Sequence, residues 1–234
     1  MKRLPWIILC LSLSVTVAGQ RNSDYGIFAG VSSYMGDINP YRLLYSPLPA
    51  AGIFYRYNLH PRQAIRVNIF FGGFRADDLD FNNDFQTARA ASFSGMAGEL
   101  ALQFEFNFLP FTTEGKLWDY TPYFAAGVGV SAINTTTFAV EPVIPFSLGI
   151  RINIYKNMGL EAEYDFRKTF YDNFDGLKDP VDPSDYAWIH NNDWYSFAGI
   201  ALTWKIYSKL AGCPAYRDVD SKKKMLKHVI KTID

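Results

Sequence analysis

The chain has 234 residues, which is enough for one domain with a sizeable core. Its formal net charge is zero, which argues against a nucleic-acid-binding protein, and 17% of its residues are aromatic. Beyond the N-terminal segment no run of eighteen apolar residues occurs, so the sequence predicts no membrane-spanning helix.

Residues 1–19 have the features of a secretory signal peptide in the right order. Lys2 and Arg3 are positively charged, residues 6–17 are apolar, and Ala18 and Gly19 supply small side chains before a cleavage point. A retained membrane anchor is the alternative, but the apolar run is short for one. We therefore expect an exported chain that begins at residue 20.

The rest of the chain alternates apolar and polar residues with a period of two, which places the two sets on opposite faces of β-strands. For example, Leu100 and Phe104 alternate with Glu99 and Glu105. Most of the predicted strands are long enough to cross a membrane. The eight predicted strands cover residues 24–34, 48–57, 64–74, 99–108, 122–132, 144–155, 160–168 and 197–207.

The predicted connections alternate in length. Those after strands one, three, five and seven (36–47, 75–90, 134–141 and 169–192) tend to be longer than those after strands two, four and six. Short turns at one end and long loops at the other are typical of outer-membrane barrels. With eight strands, both termini then lie on the short-turn side, in the periplasm.

A lipid-exposed sheet has to close, because an open edge would leave backbone groups unpaired in hydrocarbon. The fold class predicted for residues 20–207 is all-β, an eight-stranded antiparallel transmembrane β-barrel with its aromatic face toward lipid and its polar face toward the lumen. A cation at mid-depth on the lipid face would cost about 2–4 kcal/mol. The alternation instead predicts ten ion-pairing side chains that fill the lumen: Arg56, Arg66, Glu99, Glu105, Arg151, Glu161, Glu163, Asp165, Arg167 and Lys205.

A soluble lipocalin-like barrel is the alternative, with the apolar face inward and the charged face outward. Tyrosines and tryptophans near the strand ends favour the membrane, because these residues gather at lipid–water interfaces. The predicted interfacial residues are Tyr55, Tyr57, Trp118, Tyr120, Tyr123, Tyr155, Trp194, Trp204 and Tyr207.

Residues 208–234 form a basic tail, with seven Lys or Arg against three Asp. Apolar residues at helical spacing predict a short amphipathic helix that Asp220 or Ser221 would cap. Such a helix is marginal alone in water, so we expect it to dock on a periplasmic protein, on the anionic inner leaflet or under its own barrel. The predicted partner-binding residues are Cys213, Met225, Leu226, Val229, Ile230 and Ile233.

Cys213 is the one cysteine left after Cys10 departs with the signal peptide. In an oxidising compartment it indicates an intermolecular disulfide or a reactive thiol, and a surface thiol without a role is the third possibility. A disulfide to a periplasmic partner would lock the docked tail.

The remaining motifs indicate structure more than chemistry. Gly36, Asp37 and Asn39 are turn formers, so we predict a turn after the first strand, with partner recognition at the loop rim as the minor alternative. The acidic segment 171–193 offers oxygen ligands for Ca²⁺ without the spacing of a calcium loop. The sequence contains no phosphate-binding loop or paired cysteines, and we expect no metal, no cofactor and no enzymatic activity.

The segment YGIFAGVSSYMGDINP, residues 25–40, resembles the opening of PorG-type barrels of Bacteroidetes, in which a Tyr-x-Gly-Asp-x-Asn turn ends the first strand. The resemblance extends over the signal, the strands and the tail. It implies an integral outer-membrane component of the type IX protein secretion system, associated with a periplasmic ring of a lipoprotein and a partner subunit. A lumen packed with ion pairs would not pass folded cargo, so we expect an anchor and not the translocation pore.

Two other functions stay open. An outer-membrane enzyme acting on lipid or peptide would use His190 with Asp185 or Asp193. A passive structural barrel of the OmpA type is the second, although residues 208–234 are too few for the peptidoglycan-binding domain that this class usually adds.

Overall fold

The computed structural model describes residues 23–39, 41–81, 84–113, 115–135, 138–170 and 193–205. The predicted signal peptide, the tail helix and most of the acidic segment lie outside these ranges. The predicted partner-binding residues also lie outside them: Cys213, Met225, Leu226, Val229, Ile230 and Ile233.

Eight antiparallel strands form a closed barrel, in which each strand pairs with its neighbours in chain order and the last pairs with the first. The alternating residues are rich in β-branched and aromatic side chains, which favour extended backbone. The predicted fold class is confirmed. The strands are β1 (Ser23–Met35), β2 (Leu48–His60), β3 (Gln63–Asp77), β4 (Ser92–Asn107), β5 (Tyr120–Asn134), β6 (Phe138–Tyr155), β7 (Met158–Thr169) and β8 (Trp194–Lys205).

Most strands extend beyond their predicted bounds, most of all at the starts of β4 and β6. β3 continues to Asp77, and β6 begins at Phe138, opposite Asn134. The long connection predicted at 134–141 is therefore wrong, because the residues after Phe138 continue the pairing with β5. We call this end of the barrel the loop side and the end that carries the β2–β3, β4–β5 and β6–β7 connections the turn side.

The two faces of the barrel differ as the alternation predicts. On β4, Leu100 and Phe104 are 55% and 48% exposed on the outer face, whereas Glu99 and Glu105 are 3% and 0% exposed in the lumen. Apolar side chains thus cover the surface that lipid chains would contact, and charge is kept inside. A soluble lipocalin-like barrel would show the reverse, so that alternative is excluded.

The loop-side half of the lumen contains an aromatic cluster that the sequence reasoning missed. Phe28 stacks on Phe70 with 4.8 Å between ring centroids, and Phe70 meets Phe197 edge-on at 5.5 Å. Phe74 and Tyr195 extend the cluster at 5.3 Å from each other. The expectation that aromatic residues face lipid is therefore wrong for these rings, whereas the polar side chains beside them, Glu99 and Arg167, face the lumen as predicted.

Glycines on neighbouring strands make room for these large rings. A Cβ added at Gly52 would lie 2.0 Å from Cδ1 of Phe70, and one at Gly26 would lie 2.3 Å from Cζ of Phe54. A ring on one strand thus occupies the space where the next strand has no side chain. This alternation of large and small residues fits aromatic side chains into the narrow lumen of an eight-stranded barrel.

Two short helical segments lie in the connection between β3 and β4. They are a 3₁₀ turn at Asp78–Asp80 and α1 at Asp84–Arg89. Asp77 caps the 3₁₀ turn, because its carboxylate accepts a hydrogen bond from the amide of Leu79 at 3.0 Å. No helix within the described ranges has the length and hydropathy needed to cross a membrane.

Candidate functional site

A set of ion pairs crosses the lumen between opposite strands. Arg66 on β3 donates from Nη1 to Oε2 of Glu163 on β7 at 2.6 Å. Both side chains are fully buried, and β3 and β7 are diametrically opposite in the strand order. The bond therefore spans the whole lumen, and side chains fill the interior at this level.

Four side chains form the centre of this network. Arg56 donates two parallel hydrogen bonds to Glu161 at 2.8 Å each, and a third from Nε to Glu105 at 3.1 Å. Arg151 donates to Glu105 at 2.6 Å, and its Nε lies 3.0 Å from Glu161. Two guanidinium groups thus share two carboxylates, so the charges balance locally, which buried ions require.

Two tyrosines add hydrogen bonds to the neighbouring pairs. Tyr123 donates to Oε2 of Glu163 at 2.5 Å. Tyr195 donates to Oε2 of Glu99 at 2.7 Å, the oxygen that Nε of Arg167 also contacts at 2.7 Å. The prediction that Tyr123 belongs to an interfacial belt is wrong, because it lies on the lumen face of β5. The other predicted belt residues within the described ranges are exposed or half-buried: Tyr55, Tyr57, Trp118, Tyr120, Tyr155, Trp194 and Trp204.

Lys205 has its partner on β1, in a residue that the sequence reasoning did not place in the lumen. Its Nζ lies 3.8 Å from Oδ1 of Asp24, the residue directly opposite it in the pairing of β1 with β8. Asp24 also accepts hydrogen bonds from Asn58 at 2.8 Å and Thr113 at 3.0 Å. Asp24 lies two and four residues before other inward positions of β1. The period-two alternation of this strand could therefore have predicted that Asp24 faces the lumen.

The described parts of the β4–β5 connection, residues 108–113 and 115–119, fold back over the turn-side mouth. Phe111 and Thr113 are buried there. The guanidinium of Arg151 lies 5.4 Å from the ring centroid of Phe111, and Asn153 donates to the carbonyl oxygen of Thr112 at 2.9 Å. These contacts close the lumen at this end.

The predicted turn after β1 closes part of the loop-side mouth. Asn39 donates to the carbonyl oxygens of Tyr34 and Arg42, both at 2.8 Å, and accepts from the amide of Arg42 at 2.9 Å. The hydroxyl of Tyr34 donates to Oδ1 of Asp193 at 2.7 Å. A Cβ added at Gly36 would lie 2.0 Å from that same Oδ1, so the turn has room for glycine alone.

The β3–β4 connection packs against this turn. Arg89 donates to the carbonyl oxygen of Asp37 at 3.2 Å and to both carboxylate oxygens of Asp78 at 2.7 Å each. The amide of Ala91 also donates to Asp78, at 2.9 Å. Burial acts to raise the pKa of Asp78, but the hydrogen bonds from Arg89 and Ala91 outweigh it and lower the pKa below its usual value.

Tyr45 and Arg42 join the two connections from the β1–β2 side. The hydroxyl of Tyr45 donates to Oδ2 of Asp80 at 2.6 Å. Burial and this hydrogen bond raise the pKa of Tyr45 to about 12, so the hydroxyl keeps its proton at neutral pH. The guanidinium of Arg42 lies 4.5 Å from the ring centroid of Phe81. The loop-side mouth is thus covered by an ordered cap of two connections.

We expect this loop-side cap to loosen below about pH 4. Because the pKa of Asp78 is lowered in the folded cap, the unfolded connection binds a proton more readily. The carboxylate therefore stabilises the cap fully above about pH 3.9, which is the pKa of Asp78 in the unfolded connection. This contribution is lost as the pH falls through the lower pKa of the folded cap. Hydrogen exchange at the Ala91 amide, corrected for intrinsic rate, should accelerate over that interval.

Asp78→Asn should remove this pH dependence. Asp84→Asn alters an exposed carboxyl in the same connection and should preserve it. Protection of Ala91 that stays constant in the wild type down to about pH 2 would contradict the role of Asp78.

The ion pairs, the aromatic cluster and the two closed mouths together fill the lumen from the turn side to the loop-side cap. Among the described residues, no cluster of three or more potential metal ligands occurs. An apolar outer surface around a filled, ion-paired interior defines a transmembrane β-barrel of the architecture found in outer membranes. The chain belongs to the family described as domain of unknown function DUF6089, whose model matches residues 2–215.

Solved structures similar to the chain include Neisserial surface protein A, with 10% identity and a TM-score of 0.48 over 79% of this chain and 97% of that one. OprG from Pseudomonas aeruginosa has 10% identity and a TM-score of 0.42 over 80% and 98% of the two chains. The N-terminal β-barrel domain of Pseudomonas aeruginosa OprF has 13% identity and a TM-score of 0.41 over 79% and 98%. No curated protein matches the sequence.

Proposed function

We propose that the protein is an integral outer-membrane component of the type IX protein secretion system. It anchors a periplasmic ring, made of a lipoprotein and a partner subunit, to the outer membrane and is not itself the translocation pore. The observation that carries this proposal is the filled lumen, because a barrel that conducts nothing through its centre has to act through its ends or its outer surface.

The ion pairs across the lumen argue against a pore for folded cargo. The Arg66–Glu163 pair and the four-residue centre at Arg56 would all have to break before anything could pass between the strands. Breaking a buried ion pair costs several kcal/mol because it leaves charges without partners in a low-dielectric interior. The barrel therefore suits a static role in the membrane.

The tail offers the periplasmic attachment. Residues 208–234 are basic, and their apolar positions have the spacing of one helix face. An amphipathic helix of this kind binds by laying its apolar face into a hydrophobic groove. Cys213, at the start of the tail, would form an intermolecular disulfide with the partner after docking. The resemblance of residues 34–39 to PorG-type barrels supports the assignment of that partner to the secretion system.

Truncation after Tyr207 tests the proposal in whole cells. The shortened barrel should insert into the outer membrane and migrate as a folded species in unheated gels, but a cross-linked pull-down should no longer recover the ring. Cys213→Ser should abolish a larger species that appears without reductant, while leaving non-covalent recovery of the ring.

Two double variants separate the apolar face of the tail from its charge. Leu226→Asp with Ile230→Asp should abolish recovery of the ring, whereas Lys224→Asp with Lys231→Asp, on the opposite helix face, should preserve it. If the basic-face variant alone releases the tail, the anionic leaflet is the binding surface. Full recovery of the ring by the truncated barrel would refute anchoring through the tail.

A further inference from the structure

The lumen holds one carboxylate more than its cations balance. Within the described strands, six buried carboxylates face five buried cations. The carboxylates are Asp24, Glu99, Glu105, Glu161, Glu163 and Asp165. The cations are Arg56, Arg66, Arg151, Arg167 and Lys205.

The close contacts assign all five cations without Asp165. Lys205 pairs with Asp24. Arg56 and Arg151 together pair with Glu105 and Glu161. The shortest ion-pair contacts of the remaining two cations, at 2.6 Å for Arg66 and 2.7 Å for Arg167, go to Glu163 and Glu99.

Asp165 is therefore the unbalanced carboxylate. It is fully buried, and neither of its oxygens accepts a well-formed hydrogen bond from the described residues, the neutral Ser147 being the donor beside it. Its nearest cations are Arg167 at 3.7 Å and Arg66 at 4.0 Å, both of which make shorter contacts elsewhere. Glu163, from its own strand, adds a second negative charge beside it.

The strands on either side bring no further charge to Asp165. Its register partners are Ser147 on β6 and Phe197 on β8. Nε of Arg66 and Nη2 of Arg167 also lack hydrogen-bond partners among the described residues, so a bridging water has polar groups to bind there. A water molecule, however, supplies no charge, and an uncompensated buried charge is costly.

We propose that Asp165 is the binding site for one small monovalent cation, which the barrel takes up from solvent as it folds. Two sources provide this chemistry: a proton on the carboxyl, or a sodium ion beside it. The inference is independent of any role in secretion, because it rests on the lumen alone.

The test measures unfolding of the full mature chain in phosphocholine vesicles in two series. The first varies pH at fixed sodium, and the second replaces sodium chloride by N-methylglucamine chloride at fixed pH and ionic strength. Uptake of one proton changes the folding equilibrium constant by up to tenfold per pH unit. Uptake of one sodium ion changes it by up to tenfold per tenfold change in sodium.

Asp165→Asn removes the charge and keeps the side chain's shape nearly constant. It should abolish the dependence of the folding equilibrium on pH or on sodium, whichever the wild type shows. Asp24→Asn makes the same change at a carboxylate that has its own lysine, and should keep the dependence. In the proton case, infrared spectra of the wild type should also show a protonated-carboxyl band that Asp165→Asn lacks.

Two results would overturn the proposal. One is a wild type whose folding depends on neither pH nor sodium, which means that a water alone satisfies the site; this result needs no variant to fold. The other is a dependence that Asp165→Asn, or Asp165→Ser if the asparagine variant does not fold, retains at wild-type size.

Discussion

Replacing Arg56 with methionine is expected to lower the free energy of unfolding by about 3–5 kcal/mol. The guanidinium makes three hydrogen bonds, to Glu161 and Glu105, with all three side chains fully buried. Methionine would leave both carboxylates to share Arg151 in a low-dielectric lumen. Because methionine has a similar length, the loss would reflect the missing charge more than a cavity. Denaturant unfolding in phospholipid vesicles, followed by tryptophan fluorescence, gives the value.

Two further variants isolate the effect of the buried charge. Arg75→Met removes an exposed arginine from β3 and should change stability by less than about 0.5 kcal/mol. The double variant Arg56→Met with Glu161→Met should recover part of the loss, since it leaves Glu105 paired with Arg151. A double variant less stable than Arg56→Met alone would show that packing, and not charge pairing, dominates at this level of the lumen.

Replacing Leu100 with arginine is expected to destabilise the inserted barrel by about 2–4 kcal/mol. Leu100 lies near the middle of β4 on the outer face, so the guanidinium would enter hydrocarbon near the bilayer centre. Reversible unfolding from vesicles measures the loss.

Ser92→Arg supplies the matched comparison on the same strand. Ser92 is exposed at the loop-side end of β4, on the same face as Leu100. A charge there lies near the interface and should cost about 0–1 kcal/mol. Equal losses at the two positions, or no loss at Leu100, would mean that the outer face does not meet hydrocarbon.

The existence of the strands and the sidedness of β4 and β7 follow from local pattern. Leu100 and Phe104 alternate with Glu99 and Glu105 because successive side chains of a strand point to opposite faces. A closed sheet with this sidedness keeps charge out of lipid and pairs the backbone groups that an open edge would expose. For this reason the fold class could be predicted from the sequence, with the length of the β5–β6 connection as an error of strand boundaries.

The aromatic half of the lumen and the place of Tyr123 did not follow from composition. An aromatic ring suits lipid and a narrow lumen equally well on grounds of hydrophobicity, and only the neighbours decide. Phe70 is inward because it shares a face of β3 with Arg66 and Asn68, and Gly52 on the next strand leaves the space that its ring needs. Such fits depend on register across the sheet, which hydrophobic pattern alone does not specify at every strand.

The sequence by itself determined a closed barrel with an apolar outside and an ionic inside, since period-two alternation and the cost of charge in lipid are both readable residue by residue. The tertiary structure decided the partners: Arg66 with Glu163 across the lumen, Lys205 with Asp24 along the closing seam, and Asp165 with no cation of its own. Pairing between distant strands depends on closure and register, which bring together residues far apart in the chain, such as Arg56 and Glu161, which are 105 positions apart.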